Sequence, residues 1–234
     1  MVIPMFNEEA GASACVSTVC AELQRLDPNA RLFVVEDGSR DRTAEILGDL
    51  ESMTPALKVL FHAENRGYGQ ALVTGGHAAH DTGFDYVVFM DSDLTNDPKD
   101  IARFLPKMRE GHDCIKASRY IPDGGMIGVP WFRRVISRGA NSVARILMRI
   151  PIHDLTNGFR AVRTSAFVRI PFRERKFAII MEELYHMKRM GCSFAEVPNI
   201  LRARSGEQRA TSFSYRPSTF AHYLKYPVKS FLGL

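Results

Sequence analysis

The chain has 234 residues, of which 45% are hydrophobic, and a formal net charge of +5. This length and apolar content suffice for one large α/β domain with its own core. No apolar stretch reaches the roughly 18 residues of a membrane-spanning helix, and no basic leader with a cleavage site precedes the first strand. The cysteines have neither metal-ligand nor disulfide-framework spacing, so we expect reduced thiols in a cytoplasmic protein.

Strand-type and helix-type patterns alternate through the first half of the chain. The predicted strands are Val2–Pro4, Arg31–Glu36, Lys58–His62, Tyr86–Met90 and Cys114–Ser118, and the predicted helices are Glu9–Leu26, Arg42–Ser52, Gly69–Ala79 and Lys99–Glu110. Such alternation is typical of parallel βαβ units with right-handed crossovers. After about residue 120 a glycine-rich loop, a long basic helix, mixed elements and a polar loop follow, without a linker that would separate independent domains.

The segment Tyr86–Leu94 is the most informative part of the sequence. An apolar, β-branched run ends in Asp91 and Asp93, which only Ser92 separates. Alternate residues of an extended chain point the same way, so the two carboxylates can converge at the carboxyl edge of the sheet, where open α/β folds bind ligands. Such a pair favours a hard divalent ion, Mg²⁺ or Mn²⁺, carrying a diphosphate. A solvated loop after a strand is the alternative interpretation.

Three further polar loops follow the first three predicted strands. They are Pro4-Met5-Phe6-Asn7-Glu8, Glu36-Asp37-Gly38-Ser39-Arg40-Asp41 and Asn65-Arg66-Gly67-Tyr68-Gly69-Gln70-Ala71. Asp37 suits a hydrogen bond to a base or ribose, and Arg66 with its neighbouring glycines suits a phosphate. Each loop alone can be an ordinary turn, because Asn, Gly and Asp are common turn residues. Their predicted convergence with the two aspartates favours a binding site.

With these loops and Asp91-Ser92-Asp93, the chain resembles the inverting family 2 glycosyltransferases of GT-A fold. Later segments resemble dolichyl- and polyprenyl-phosphate mannosyltransferases more narrowly; they are Ser118-Arg119-Tyr120, Trp131–Asn141, Asp154-Leu155-Thr156-Asn157-Gly158-Phe159, Phe177–Glu183 and Arg202-Ala203-Arg204-Ser205-Gly206-Glu207. The resemblance extends over about residues 2–213. It implies an α/β fold with a Rossmann-like, mostly parallel sheet flanked by helices.

The resemblance also implies a domain organisation. One catalytic domain would span residues 1–213, with a nucleotide-sugar-binding half over 1–120 and an acceptor-binding half over 121–213. Residues 214–234 would form an amphipathic C-terminal tail. Many relatives continue into transmembrane helices at this point, and a membrane-anchoring subunit is a further partner that the resemblance allows.

Individual site residues follow from the resemblance. The nucleotide-sugar donor would contact Pro4, Phe6, Asn7, Glu8, Asp37, Asn65, Arg66, Gly67 and Ser92. Asp91, Asp93 and Thr95 would hold Mg²⁺ or Mn²⁺; family members often carry Gln at the Thr95 position, and the shorter Thr95 would bind through water. The acceptor phosphate would be bound by Arg119, Arg133, Ser137 and Arg204, and Arg119 would be catalytic together with the two aspartates. Relatives commonly carry Lys where this chain has Ala178.

A basic helix favours a membrane-side acceptor independently of the resemblance. Residues 124–153 include no acidic residue, and Arg134, Arg138, Arg145 and Arg149 fall on one helical stripe with apolar side chains on the other side. This pattern is typical of a helix at an anionic membrane surface. An amphipathic helix packed on the core has the same pattern. The aromatic, acid-free tail after Glu207 is open to the same two interpretations.

The sequence therefore predicts a metal-dependent inverting glycosyltransferase, peripheral on the cytoplasmic face of a membrane, that moves mannose from GDP-mannose onto a polyprenyl or dolichyl phosphate. Glu182 or Glu183 would be a general base only for a hydroxyl acceptor, because a phosphate is already ionised. Two alternatives remain: a UDP-sugar transferase acting on another lipid phosphate or a saccharide, and an inert nucleotide-binding or membrane-scaffold protein. Nucleic acid is not an expected partner, because the basic residues lack interleaved aromatics outside the tail.

Overall fold

A computed structural model describes residues 1–203 and 217–234 of the protein. The strands are β1 (Val2–Met5), β2 (Leu32–Glu36), β3 (Leu57–Phe61), β4 (Tyr86–Phe89), β5 (Cys114–Ser118), β6 (Gly125–Ile127), β7 (Arg160–Arg163), β8 (Phe194–Pro198) and β9 (Ile200–Arg202). The helices are α1 (Ala12–Leu26), α2 (Thr43–Met53), α3 (Tyr68–Asp81), α4 (Phe104–Arg109), α5 (Trp131–Met148), α6 (Thr164–Phe167), α7 (Ile179–Arg189) and α8 (Pro217–Phe231), and a 3₁₀ turn (Pro98–Arg103) precedes α4.

The main sheet has seven strands in the order β3-β2-β1-β4-β7-β5-β8, and β6 pairs with β9 in a separate ribbon. Strands β3, β2, β1 and β4 run parallel to one another, as do β5 and β8. Strand β7 is antiparallel to both β4 and β5. The predicted α/β fold with a mostly parallel sheet is confirmed. The strict βαβ alternation is not, because a strand from the later part of the chain separates β4 from β5.

Strand β7 begins with a charged residue that is completely buried. The Arg160 guanidinium donates from Nε and Nη2 to the two oxygens of Glu183, at 2.6 and 2.7 Å. It also lies 4.5 Å from the centre of the Phe89 ring. Burial opposes the charged form of Arg160, but the Glu183 carboxylate outweighs it and raises the arginine pKa. This pairing allows a segment that reads as polar, Arg-Ala-Val-Arg, to form a central strand.

Alternate residues of the strands point to opposite faces of the sheet, and each face packs against its own apolar core. On one face Ile3 and Val34 pack with α1, α2 and α4, and on the other Val2 and Val35 pack with α3, α5, α6 and α7. The predicted helix over 99–110 is instead a 3₁₀ turn followed by the short α4. Pro106 has no N–H to donate within a longer helix, so it is tolerated only in the first turn of a helix. It lies in the first turn of α4.

Candidate active site

The loops after β1, β2, β3 and β4 lie at one edge of the sheet, because these strands run parallel. Asp91 and Asp93 follow β4 and are half-buried there. Asp93 Oδ1 accepts from the Thr95 hydroxyl at 2.8 Å and from its backbone N–H at 3.1 Å. Asp91 Oδ1 accepts from the Tyr68 hydroxyl at 3.0 Å. Burial, and then the Asp91 charge, raise the pKa of Tyr68, so the phenol remains the proton donor.

The donor chemistry of this pair fits a hard cation. Carboxylate oxygens are the ligands that Mg²⁺ and Mn²⁺ prefer, and both ions commonly complete their shell with water and substrate phosphate oxygens. Within the described ranges, no three His, Cys, Asp or Glu side chains lie close enough together to hold a metal unaided. The two aspartates therefore suit an ion that also binds a diphosphate. The predicted metal role of Thr95 remains a prediction, since its hydroxyl is bonded to Asp93.

The first two loops form one unit. The Asn7 side-chain oxygen accepts from Arg40 N at 2.8 Å, and Asn7 N donates to the Ser39 hydroxyl at 3.0 Å. Glu8 N donates to the Thr43 hydroxyl at 2.8 Å. Asn7 has φ 54°, a left-handed conformation that asparagine tolerates better than most residues. These bonds fix the backbone at the predicted nucleoside-binding residues.

The Asp37 side chain binds the backbone of the third loop. Its Oδ1 accepts from Arg66 N at 2.9 Å and lies 2.6 Å from His62 Nδ1, and its Oδ2 accepts from Gly67 N at 2.8 Å. His62 is itself buried, with Nε2 3.0 Å from the Thr74 hydroxyl. The Asp37 carboxylate therefore shapes the loop, and its predicted contact with the donor remains a prediction. The sequence offered no motif that singles out His62 as its partner.

The glycines of the third loop are required because the backbone of residues 174 and 175 packs directly on them. Gly69 N donates to Arg175 O at 2.8 Å, and a Cβ on Gly69 would lie 2.3 Å from Glu174 O. Gly67 has φ +92°, and a Cβ there would lie 2.6 Å from Arg175 O. The segment before α7 thus packs directly on this loop. Asn65 and Arg66 remain exposed beside it.

The other predicted donor residues lie at the same sheet edge. Pro4 is within β1 and pairs with Val35. Phe6 and Ser92 are half-buried, in the loops after β1 and β4. The structure thus gathers these residues near the aspartates, and their contact with a nucleotide sugar stays a prediction.

Arg119 lies at the end of β5 in a buried ion pair. Its Nε and Nη2 donate to the two oxygens of Asp154 at 2.7 and 2.8 Å, and Nη2 also donates to the Thr156 hydroxyl at 3.0 Å. Burial opposes ionisation of Asp154, but the Arg119 charge and hydrogen bonds outweigh it and hold the Asp154 pKa below its ordinary value. The guanidinium is thereby held in one orientation.

The middle of α5 is bonded to the same network. Asn141 Nδ2 donates to the Thr156 hydroxyl at 3.0 Å, and the Tyr120 hydroxyl donates to the Ser137 hydroxyl at 2.7 Å. Arg133 precedes Ser137 by one helical turn and is on the same side of α5. Arg119, Arg133 and Ser137, predicted to bind the acceptor, are therefore on connected elements. Arg204, the fourth, lies outside the described residues.

Both carboxylates proposed as a general base are buried in structural contacts. Glu183 pairs with Arg160. Glu182 accepts from Arg173 N and Glu174 N, at 3.0 and 2.9 Å, and from the Tyr226 hydroxyl at 2.7 Å. Neither side chain is exposed to a substrate. Their contacts stabilise the sheet and the segment over the Asn65–Gly67 loop.

Helix α5 turns an apolar face outward. Its buried side carries Asn141, Ala144 and Met148, whereas Val135 and Ile146 are 62% and 71% exposed. The same face also exposes Trp131, Phe132, Ile136 and Val143. We call these six residues the outward face; they remain exposed, whereas Ile150, just after the helix, is buried in the core.

Basic side chains flank the outward face, and the C-terminal helix also exposes apolar side chains. Arg134, Arg138 and Arg145 lie along one border of α5 and are exposed. Arg149 does not continue this stripe, because α5 ends at Met148 and Arg149 has φ 50°. Helix α8 packs on α5 and buries Tyr226, while its end exposes Phe231, Leu232 and Leu234. Among the described residues, no helix has the length and apolarity to cross a membrane.

Comparison with known proteins identifies related sequences. Residues 1–170 match the family described as "Glycosyl transferase family 2". The polyprenol monophosphomannose synthase of Mycolicibacterium smegmatis is 28% identical over 225 residues, which cover 94% of this chain and 83% of that protein. The dolichol-phosphate mannosyltransferase of Pyrococcus furiosus is 33% identical over 222 residues, which cover 92% of this chain and 60% of that protein. The chain thus spans less than two thirds of this second relative.

Solved structures of glucosyl-3-phosphoglycerate synthase from Mycobacterium tuberculosis have the same fold. Its complex with phosphoglyceric acid has a TM-score of 0.66 at 19% identity and covers 98% of this chain and 78% of that chain. Its complex with Mn²⁺, uridine diphosphate and glucosyl-3-phosphoglycerate has a TM-score of 0.64 at 20% identity, covering 100% and 79%. At this identity the likeness establishes the GT-A type α/β fold alone.

Proposed function

The chain belongs to glycosyl transferase family 2, and we propose that it is a metal-dependent inverting enzyme that transfers mannose from GDP-mannose to a polyprenyl phosphate. The observation that carries the acceptor class is the Arg119 guanidinium, which Asp154 holds in one orientation at the end of β5. Glu182 and Glu183, the two carboxylates predicted as bases, are engaged in buried contacts. A hydroxyl acceptor needs a base to remove its proton, whereas a phosphate monoester is already ionised near neutral pH. The names of the two mannosyltransferase relatives support the same acceptor class.

The acceptor phosphate would be oriented by Arg119, Arg133 and Ser137, with Arg204 as a fourth contact. Guanidinium groups form forked, charge-assisted bonds to phosphate oxygens. The buried Asp154 holds Arg119 in place before the substrate arrives, so less conformational entropy is lost on binding. An ionised acceptor oxygen would attack the anomeric carbon as the bond from that carbon to the diphosphate breaks, which inverts the configuration.

The donor would be bound at the carboxyl edge of β1 to β4. Asp91 and Asp93, with Thr95 through water, would hold Mg²⁺ or Mn²⁺, and when bound the ion would stabilise the charge of the departing nucleoside diphosphate. The nucleoside would contact the joined loops at Phe6, Glu8 and Asp37. Exposed Arg66 would add a positive charge near the diphosphate. A structural neighbour that was solved with Mn²⁺ and uridine diphosphate supports the proposed use of a divalent ion.

The outward face would place the acceptor site at a membrane surface. Helix α5 carries two of the predicted acceptor residues, Arg133 and Ser137, on its inner side. Its outer side has the exposed apolar face and flanking arginines. Such a helix lies in the interface plane with its apolar side in the headgroup–acyl boundary, and its basic residues attract anionic lipid. We therefore propose peripheral binding to a cytoplasmic leaflet, through α5, α8 or an anchoring subunit.

A panel of donors and acceptors tests this function. The protein is incubated with GDP-mannose or UDP-glucose, with Mg²⁺ or Mn²⁺, and with a short polyprenyl phosphate or a saccharide, and the products are identified by mass spectrometry. The expected product is mannosyl phosphoryl polyprenol, made only with metal. Transfer to the saccharide alone, or from UDP-glucose alone, would overturn the acceptor or the donor respectively. An Asp91→Asn protein is the control for contaminating activity.

A further inference from the structure

The hydroxyl of Tyr68 reaches across from a different loop to one of the paired aspartates. Tyr68 is the first residue of α3, immediately after Gly67, and its hydroxyl donates to Asp91 Oδ1 at 3.0 Å. We propose that Tyr68 is a positioning residue that sets the orientation of Asp91 for a divalent cation. This inference rests on the proposed metal-dependent function, and it assigns a role to a residue outside the predicted ligand set.

Contacts with the segment before α7 fix the Tyr68 ring, and they thereby fix the direction from which its hydroxyl donates to Asp91. The ring packs against Phe177, with centroids 4.6 Å apart and an angle of 35° between the planes. The next residue, Gly69, donates its N–H to Arg175 O at 2.8 Å. Tyr68 is thus anchored to the segment that precedes α7.

Gly158 leaves room for this pair. A Cβ on Gly158 would lie 3.2 Å from the Tyr68 hydroxyl oxygen and 3.4 Å from Asp91 Oδ2. The contact with Tyr68 is tight and the one with Asp91 is an ordinary van der Waals contact, so a methyl group at this position would press on the Tyr68 hydroxyl. A glycine at position 158 therefore leaves the space in which Tyr68 and Asp91 form their hydrogen bond.

Orientation of a metal ligand has a measurable effect on metal affinity. A carboxylate that is already bonded through one oxygen loses less rotational freedom when an ion binds, and partners of this kind typically change metal affinity about 10–100-fold. Thr95 makes the equivalent bond to Asp93, at 2.8 Å. Each aspartate of the pair thus accepts a hydrogen bond from a hydroxyl group of the described residues.

The test compares Tyr68→Phe with a matched control, Tyr86→Phe. The Tyr86→Phe substitution also removes only a hydroxyl. In the parent this hydroxyl donates to His112 O at 2.8 Å, away from the aspartates. Mn²⁺ binding is titrated by the electron paramagnetic resonance signal of the free ion, with GDP and separately with UDP, and no acceptor is needed. We expect the Mn²⁺ dissociation constant to rise about tenfold in Tyr68→Phe and to stay unchanged in Tyr86→Phe.

Gly158→Ala is the second variant, in case the first does not fold. It should also weaken Mn²⁺ binding, because its methyl group would press on the Tyr68 hydroxyl and shift it relative to Asp91. If the parent binds Mn²⁺ and folded Tyr68→Phe binds it equally well, the positioning role is wrong and the metal site stands. If Gly158→Ala alone folds and binds Mn²⁺ like the parent, the role is also wrong. If the parent binds no Mn²⁺ with either nucleotide, the metal site and this inference fail together.

Discussion

Arg119 and Asp154 form a two-bond ion pair in which the carboxylate is completely buried, with Nε–Oδ2 and Nη2–Oδ1 distances of 2.7 and 2.8 Å. Asp154 also accepts from Arg119 N at 3.0 Å, so the pair joins the end of β5 to the loop that follows α5. Through Thr156 this loop reaches Asn141 on α5. The Asp154 carboxylate therefore connects Arg119 to the helix that carries Arg133 and Ser137.

Asp154→Asn should impair use of the acceptor and leave donor binding intact. The amide keeps the shape but loses the charge-assisted bonds that orient Arg119, which are worth about 1.5–3 kcal/mol each. We expect the KM for a polyprenyl phosphate to rise on the order of tenfold, while GDP affinity measured by calorimetry is unchanged. The matched control is Asp113→Asn, which weakens the ion pair with Arg163 away from the site. A loss of GDP affinity in Asp154→Asn would contradict the acceptor role.

Acid should destabilise the protein partly through Asp154. Its pKa is lowered in the folded state, so the unfolded chain binds the proton more readily. The stabilisation is therefore complete above the unfolded value of about 3.9 and is lost as the pH falls through the lower folded value. Urea unfolding at a series of acidic pH values should show this slope in the parent and a smaller one in Asp154→Asn. Identical slopes would mean that Asp154 does not contribute.

Glu183→Gln should destabilise the fold strongly. It leaves Arg160 charged and buried without its partner, which typically costs about 3–5 kcal/mol in the free energy of unfolding. Denaturant unfolding measures this change. A double variant, Arg160→Met with Glu183→Leu, should be less destabilised than Glu183→Gln, because no unpaired charge remains. Glu45→Gln removes a surface partner of Arg42 and should change stability little. Equal effects of the buried and surface changes would refute this assignment.

Asp93→Ala should abolish metal-dependent transfer in a protein that still folds. The loss of one carboxylate ligand removes several kcal/mol of transition-state stabilisation, on the order of 10²-fold or more in rate. Initial rates with Mg²⁺ and Mn²⁺ measure the effect, and circular dichroism checks the fold. Asp97→Ala is the control, because this half-buried aspartate accepts a hydrogen bond from Lys99 N and is outside the pair. Near-normal turnover in folded Asp93→Ala would remove Asp93 from the metal site.

Reversal of Arg138 and Arg145 to Glu should release the protein from anionic vesicles. Each basic residue near an anionic surface contributes about 1 kcal/mol, so binding should fall on the order of tenfold or more. Sedimentation with vesicles of increasing anionic lipid and salt measures it. The control reverses Arg103 and Arg109, which are exposed next to Phe104 on the other face of the sheet.

The apolar part of the same surface is tested separately. Val135→Ser with Ile146→Ser should weaken vesicle binding at every salt concentration, since it removes apolar area rather than charge. Truncation after Ser212 removes the contribution of α8. If all of these proteins sediment like the parent, the membrane role of α5 and α8 is wrong.

Local patterns in the sequence were enough to predict which polar loops meet at one edge of the sheet. The apolar, alternating segments matched β1 to β5 with shifts of one residue at most. Because the carboxyl ends of parallel strands share one edge, the polar loops after them could be placed together without coordinates. Short-range information of this kind also located Asp91 and Asp93. It could not predict what each side chain would bond to across the sheet.

Long-range contacts decided the remaining features of the site. The position of β7 depends on pairing Arg160 with Glu183, residues far apart in the sequence that appear polar in isolation. The same holds for Tyr68 beside Asp91. The amphipathic pattern of α5 fits either a core or a membrane surface, and its packing through Asn141, Ala144 and Met148 leaves the outward face exposed. The sequence by itself determined which loops meet at the sheet edge; the tertiary structure decided which charges are paired inside and which apolar surface remains outside, because both depend on partners that no local pattern specifies.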